Sequence, residues 1–221
     1  MSEAPARPAA AVLISGSGTN LQAFIDQVHA GSLPLDIAVV ISNRAKAYGL
    51  QRARNAGIPV RCIDNRDFPS RESFDDALHE ALEDFDPQIV ILAGFMRILS
   101  ASFVNRYPGR ILNIHPALLP AYPGLNTHQR VIDAGEAWHG CTVHFVTAEL
   151  DAGPGLLQGR VPVLKSDDSQ TLSARVQTME HIIFPRAAEW VATGRAEFRD
   201  GKAWLDGKAL DHPVVIDWQP Q

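Results

Sequence analysis

Five short apolar runs, spaced along the first half of the chain and alternating with stretches of helical spacing, constrain the fold more than any other feature. Residues 9–14, 37–41, 89–92 and 111–114 are rich in Ala, Val, Ile and Leu, and 60–63 is a weaker run. Unbroken apolar stretches of this length are what strands buried on both faces look like. Between 60–63 and 89–92, the residues Phe74, Ala77, Leu78, Ala81, Leu82 and Phe85 recur at spacings of three, one, three, one and three. That is the stripe of an amphipathic helix, with Ser70 placed to cap its start and Pro87 to stop it. Strands alternating with helices predict βαβ units with right-handed crossovers. The expected fold is α/β, a mostly parallel twisted sheet with helices on both faces and a Rossmann-like N-terminal half.

The second half reads differently. Residues 141–146 and 156–163 look like strands, the first alternating Cys141, Val143 and Phe145 against Thr142, His144 and Val146, which puts His144 on the polar side. Residues 169–192 read as one long helix or a pair broken near Pro185. Residues 197–199 and 202–205, joined by Asp200-Gly201, read as a hairpin. No repeat or linker divides the chain. The expectation is a short disordered tail over 1–8 and a single domain over 9–221, with halves at about 9–107 and 108–221.

Composition narrows the function. With 46% hydrophobic and 20% charged residues in 221, a sizeable core is available. No apolar run approaches the roughly 20 residues that span a bilayer, which argues against membrane partners. A net charge of -5 argues against a nucleic-acid binder, but not against a small anionic ligand, because a helix N-terminus binds phosphate without net positive charge. Cys62 and Cys141 lie far apart without metal-type spacing, so both are expected to be buried thiols in a reducing, cytoplasmic compartment. His29, His79 and His212 sit in polar segments and are expected to be solvated. The spacings of His115, His128, His139 and His144 match no metal motif, so no metal is expected.

Two segments carry chemistry. The first strand runs into Gly16, Ser17, Gly18, Thr19 and Asn20, ahead of the helical run 21–28. Glycines let the backbone turn and approach a ligand, and free N–H groups at a helix start favour an anion. Leu21 replaces the third glycine of a dinucleotide loop, Ser42-Asn43-Arg44 stands where its acid would be, and no Lys follows as in a Walker loop. A phosphomonoester site and a plain strand-to-helix turn both remain open on spacing alone. The second segment is Asn113-Ile114-His115-Pro116. Residues i and i+2 of a strand share a face, with Cα atoms roughly 6.5–7 Å apart. Asn113 and His115 therefore converge at the carboxyl edge of the sheet, where open α/β folds bind ligands. An amide donor beside an imidazole suits acyl chemistry, the first stabilising an oxyanion and the second moving a proton; an Asn and a His tied up in turn hydrogen bonds is the competing reading. Asp151, in a Gly/Pro loop, is either a turn former or a carboxylate that orients the imidazole, and spacing does not connect it to the strand. Met96 with Phe95 reads equally as core, whereas a partly buried Arg97 calls for an anionic or carbonyl partner.

Gly16-Ser17-Gly18-Thr19-Asn20, Ile41-Ser42-Asn43-Arg44, Gly94-Phe95-Met96-Arg97, the stretch from Asn113 through Leu118-Leu119-Pro120, and His144-Phe145-Val146 followed by Asp151-Ala152-Gly153-Pro154 together resemble the phosphoribosylglycinamide formyltransferase family, in register from about residue 11 to 207. The Asn-x-His strand with its Leu-Leu-Pro tail and the later Asp are the specific part. The resemblance implies a single-domain formyltransferase fold and a catalytic triad of Asn113, His115 and Asp151; His144, on the polar side of its strand and close to Asp151 in sequence, is a candidate secondary group on those grounds alone. It implies a nucleotide site of Gly16, Ser17, Gly18, Thr19, Asn20, Gly94, Pro116, Gln177 and Glu180, the last holding the ribose hydroxyls. It implies a folate site of Met96, Arg97, Ile98, Leu99, Val146 and Glu149. Ser17 and Thr19 fall where family members vary, and Asn126 stands at a position often His. The implied co-substrate is 10-formyltetrahydrofolate, the implied acceptor the amine of glycinamide ribonucleotide, and the expected assembly a monomer or homodimer. A formyltetrahydrofolate hydrolase carries an extra N-terminal domain, whereas the first strand here starts within about ten residues. A methionyl-tRNA formyltransferase needs a basic C-terminal domain, whereas residues 206–221 are acidic to neutral. A non-catalytic or NAD-binding Rossmann protein fits poorly with the missing third glycine.

Overall fold

The computed structural model describes residues 7–219, so most of the expected N-terminal tail lies outside the described residues. The apolar runs become strands β1 (Ala9–Ile14), β2 (Asp36–Ser42), β3 (Val60–Cys62), β4 (Ile89–Leu92) and β5 (Ile111–His115). With β6 (Trp138–Phe145), β7 (Gly155–Pro162) and β11 (Val214–Asp217), they form one eight-stranded sheet in the order β11-β7-β6-β5-β4-β1-β2-β3. Pairing is parallel from β3 through β5 and between β7 and β11; only β6 runs antiparallel to its neighbours.

Alternation along β1 shows why both faces are covered. Ala10, Val12 and Ile14 pack into one apolar cluster, with Leu21, Phe24 and Ile25 of α1 (Thr19–His29), Leu50 and Ala53 of α2 (Tyr48–Asn55), and the inner face of α6 (Ser169–Ala192). Ala11 and Leu13 point the other way, toward Phe74, Leu78 and Leu82 of α3 (Arg71–Glu83) and Phe103 and Val104 of α4 (Ala101–Val104). Each fully buried Leu or Phe of these clusters contributes about 1.5–3 kcal/mol. Ser70 caps α3 as its spacing predicts, within a capping box shared with Ser73. The helix at 169–192 is single and runs through Pro185. The hairpin is β8 (Ala196–Arg199) and β9 (Lys202–Leu205), turning at Asp200 and Gly201, which both have positive φ; β10 (Lys208–Ala209) completes a small second sheet.

His144 stands, as its alternation predicts, on the face of β6 away from Cys141, Val143 and Phe145, and it is 2% exposed. Two expectations are corrected. Cys62 is exposed, because β3 is an edge strand, whereas Cys141 is buried. His79 is half-buried, and its Nδ1 lies 2.8 Å from the Tyr107 hydroxyl. Among the described residues, no helix is long and apolar enough to cross a membrane.

Candidate active site

Strand order reverses at β1, whose neighbours β2 and β4 continue the chain in opposite directions across the sheet. A crevice at such a point, outside the carboxyl ends of the strands, is where open α/β sheets hold ligands. The segments after β1 and β4 meet there: the Ser15 N–H donates to the Gly94 carbonyl (3.1 Å), and the Met96 N–H donates to the Ser15 hydroxyl (2.7 Å).

On one side of this seam lies the glycine loop. Gly18 is left-handed and serves as the N-cap of α1 without any side-chain cap, so the first N–H groups of the helix remain available. The loop's carbonyls are turned away, because Gly49 N donates to Gly16 O (3.1 Å) and Arg52 Nε to Ser17 O (2.9 Å). The approach of α2 requires glycine on both sides: a Cβ on Gly18 would stand 2.6 Å from the Gly49 Cα, and one on Gly49 would strike Ile14. The result is a rim of donors, the polarity an anion needs. Edge packing of Phe24 on Phe184, with centroids 5.1 Å apart, brings α6 across α1. Gln177 and Glu180, three apart and so on one helical face, then reach the loop: Gln177 Nε2 donates to Thr19 Oγ1 (3.0 Å) and Asn20 Nδ2 to Glu180 Oε2 (2.8 Å). Burial pushes the Glu180 carboxyl up, partly offset by the Asn20 hydrogen bond.

On the other side is a cleft of about 630 Å³. Gly94, Met96, Arg97, Ile98 and Leu99 line it from the segment after β4, and Val146, Glu149 and Asp151 from the loop after β6. Asn113, His115, Pro116 and His144 form its floor on the sheet. Met96, Ile98, Leu125 and Leu150 are large apolar side chains left exposed at this cleft, an apolar rim suited to a flat organic ligand. Met96, at 63% exposed, is therefore not core, while Leu99 is buried and serves both core and cleft. The Arg97 guanidinium lies over the Phe74 ring, and its buried Nε has no protein partner.

The polar residues of the floor converge. His115 Nδ1 is 3.4 Å from Asp151 Oδ2, and both side chains are buried. Asp151 Oδ2 also accepts the Gly124 N–H (3.0 Å), and His115 Nε2 lies 2.9 Å from the Tyr122 carbonyl oxygen. Both neighbours of the His115 ring nitrogens are oxygen acceptors, so a hydrogen on either nitrogen meets one. Asn113 Nδ2 is 3.0 Å from His144 Nε2.

Sequence reasoning passed over several neighbours. Arg52 and His181 flank the glycine loop, and His181 Nε2 is buried without a partner; the spacing of His181 from Gln177, four residues along one helix face, is the signal that could have found it. His128, on α5 (Thr127–Asp133), also lines the cleft, and its Nδ1 is 3.0 Å from His139 Nε2. Burial lowers both rings' pKa values, that of His139 to about 4, so this pair is neutral at pH 7.

The chain is similar to known proteins over most of its length. A formyl transferase family model matches residues 9–188. The phosphoribosylglycinamide formyltransferase of Escherichia coli is 50% identical over 199 residues, covering 90% of this chain and 94% of that protein. That of Haemophilus influenzae is 48% identical over 200 residues, with 90% and 94% covered. The solved structure of the Coxiella burnetii phosphoribosylglycinamide formyltransferase in complex with CHES superposes with a TM-score of 0.90 at 48% identity, covering 94% of this chain and 99% of that one. Matched over nearly its whole length in both sequence and fold, the chain belongs to the formyl transferase family, as a transferase of the phosphoribosylglycinamide formyltransferase kind.

Proposed function

We propose that this chain passes the formyl group of 10-formyltetrahydrofolate to the amine of glycinamide ribonucleotide, giving the formylated nucleotide and tetrahydrofolate in purine biosynthesis. The observation that carries the reading is the meeting of Asn113, His115 and Asp151 at the junction of two different subsites. The donor-rich glycine loop with Glu180 suits a phosphate and a ribose. The cleft rimmed by Met96, Ile98 and Leu150 suits the pterin, with the free Arg97 Nε available to a carbonyl or carboxylate of the folate. The N-terminal half then supplies most of the nucleotide site, and the C-terminal half most of the catalytic groups.

The chemistry follows from the side chains. As the amine nitrogen bonds to the formyl carbon, the carbonyl electron pair moves onto oxygen. Asn113 donates to that oxygen, and His115, held by Asp151, supplies charge stabilisation and a path for the proton. Collapse breaks the bond from carbon to the folate nitrogen, and the proton lost by the amine is gained by the departing nitrogen. No covalent enzyme intermediate is needed, and neither cysteine takes part. The reading extends to a cytoplasmic enzyme of small-molecule substrates, monomeric or homodimeric, and the net charge of -5 argues against nucleic acid as a partner.

The direct test is formyl transfer from 10-formyltetrahydrofolate offered glycinamide ribonucleotide, water or charged methionyl-tRNA. Rapid formylation of the nucleotide with only slow loss to the other two is expected; faster transfer to water would make the chain a hydrolase.

Glu180→Gln separates binding from stability. A buried carboxyl whose pKa is raised on folding lowers stability at pH values above its ordinary range, and that penalty disappears as acid protonates it in both states. Glutamine keeps an acceptor for Asn20 and carries no charge. The variant is expected to melt at a higher temperature than the wild type at neutral pH, the gap closing toward pH 4, while the KM for the nucleotide rises. Differential scanning calorimetry across pH, with initial rates, checks both; a lower melting point at neutral pH would show that the carboxylate is structurally required.

A further inference from the structure

We infer that His144 is a positioning residue for Asn113: its bare Nε2 accepts from the Asn113 amide and fixes which end of that amide faces the reacting group. The inference rests on the reading of Asn113 as the oxyanion donor.

Asn113 and His144 stand directly opposite each other on β5 and β6, so their side chains start close together on one face. His144 Nδ1 is 3.1 Å from the Phe145 carbonyl oxygen. A carbonyl only accepts, so Nδ1 carries the hydrogen. The ring is 2% exposed, and burial opposes a second proton more strongly than the Phe145 carbonyl and the Asp151 carboxylate favour one. A neutral ring protonated at Nδ1 presents a lone pair at Nε2. Only the NH2 end of the amide satisfies that lone pair at 3.0 Å. The flipped amide would set Oδ1 against it, acceptor facing acceptor.

One amide N–H is thus taken by His144, and the other lies in the same plane, turned away from the ring. Both side chains border the cleft, so that second N–H is left for an oxygen placed there. Without the His144 acceptor nothing selects between the two amide orientations, because the terminal torsion of Asn is broad and roughly two-fold. In one of them Oδ1 faces the developing oxyanion and repels it.

The proton position is measured directly by long-range 1H–15N correlation of the His144 ring in the labelled protein. A hydrogen on Nδ1 and a bare Nε2 are expected; a hydrogen on Nε2 would overturn the inference. In kinetics, His144→Leu is expected to lower kcat about 10²-fold, the scale of a misplaced reacting group, with little change in either KM. His144→Gln, whose Oε1 reaches the place of Nε2, is expected to recover most of that loss. In an Asn113→Ala background, His144→Leu should cost nothing more. A Gln variant that folds yet is as slow as Leu, or a Leu cost undiminished without Asn113, would reduce His144 to a core residue. Should His144→Leu fail to fold, His144→Asn, too short to reach the amide, takes its place and is expected to be as slow. The two readings fail separately: an unchanged kcat for Asn113→Ala removes the oxyanion donor, whereas the ring spectrum judges the positioning alone.

Discussion

Replacing Asn113 by alanine is expected to lower kcat on the order of 10²–10³-fold, the usual cost of removing one oxyanion donor. The KM values for nucleotide and folate should change little. The split follows from the geometry. Asn113 pairs in register with Leu92 on β4 and His144 on β6, at the seam between the two subsites rather than inside either. Its donor is oriented toward charge that exists only while the amine is adding to the carbonyl, and an interaction made only then affects turnover, not affinity. The substitution also leaves His144 Nε2 without its donor, a buried unpaired acceptor worth about 1–3 kcal/mol of stability, so a moderately lower melting temperature should accompany the slower rate. Single-turnover formyl transfer at saturating substrates measures the chemical step. Equal rates for the variant and the wild type would remove Asn113 from the mechanism.

How much of this was legible in the sequence depends on whether the determinant is local. β1 and β4 are buried on both faces, which writes them as unbroken apolar runs, and both occupy their expected residues. The Asn113–His115 pair needed only the two-residue repeat of a strand. β11 escaped because it is short, follows Pro213, and is defined by a partner far back in the chain: it pairs with β7, and Asp217 accepts from Arg160 at 2.7 Å. α2 was hidden by Gly49, a poor helix former retained because the glycine loop packs against it. His144 stood out as the polar member of an alternating strand, but its pairing with Asn113 depends on the register between β5 and β6, which no local pattern encodes. Asp151 was a candidate on its own residues, but its link to His115, like the role of Glu180, was reached only through family resemblance. Each acts across a tertiary contact, Asp151 from a left-handed loop residue and Glu180 from a helix 160 residues beyond Asn20, and no spacing rule encodes such contacts.

Asp151→Asn isolates the carboxylate's charge from its shape. The residue has φ of 52°, a left-handed conformation that asparagine tolerates as readily as aspartate, so the loop has no reason to rearrange. The asparagine oxygen can keep the Gly124 N–H. Because the same oxygen faces His115 Nδ1 in the wild type, the asparagine oxygen also stays beside the ring. The contacts of the loop are kept, and only the carboxylate charge beside the imidazole is lost. A turnover loss between about 10²- and 10⁴-fold is expected, the range in which removing a carboxylate that holds a catalytic imidazole falls. Nucleotide affinity should survive, because the glycine loop, Gln177 and Glu180 are positioned by α1, α2 and α6, none of which contacts Asp151 through a hydrogen bond. Steady-state kinetics beside calorimetric titration with glycinamide ribonucleotide reads both quantities on one preparation. If binding collapsed while turnover survived, Asp151 would be a structural residue of the loop, and the orientation of His115 would have to come from elsewhere.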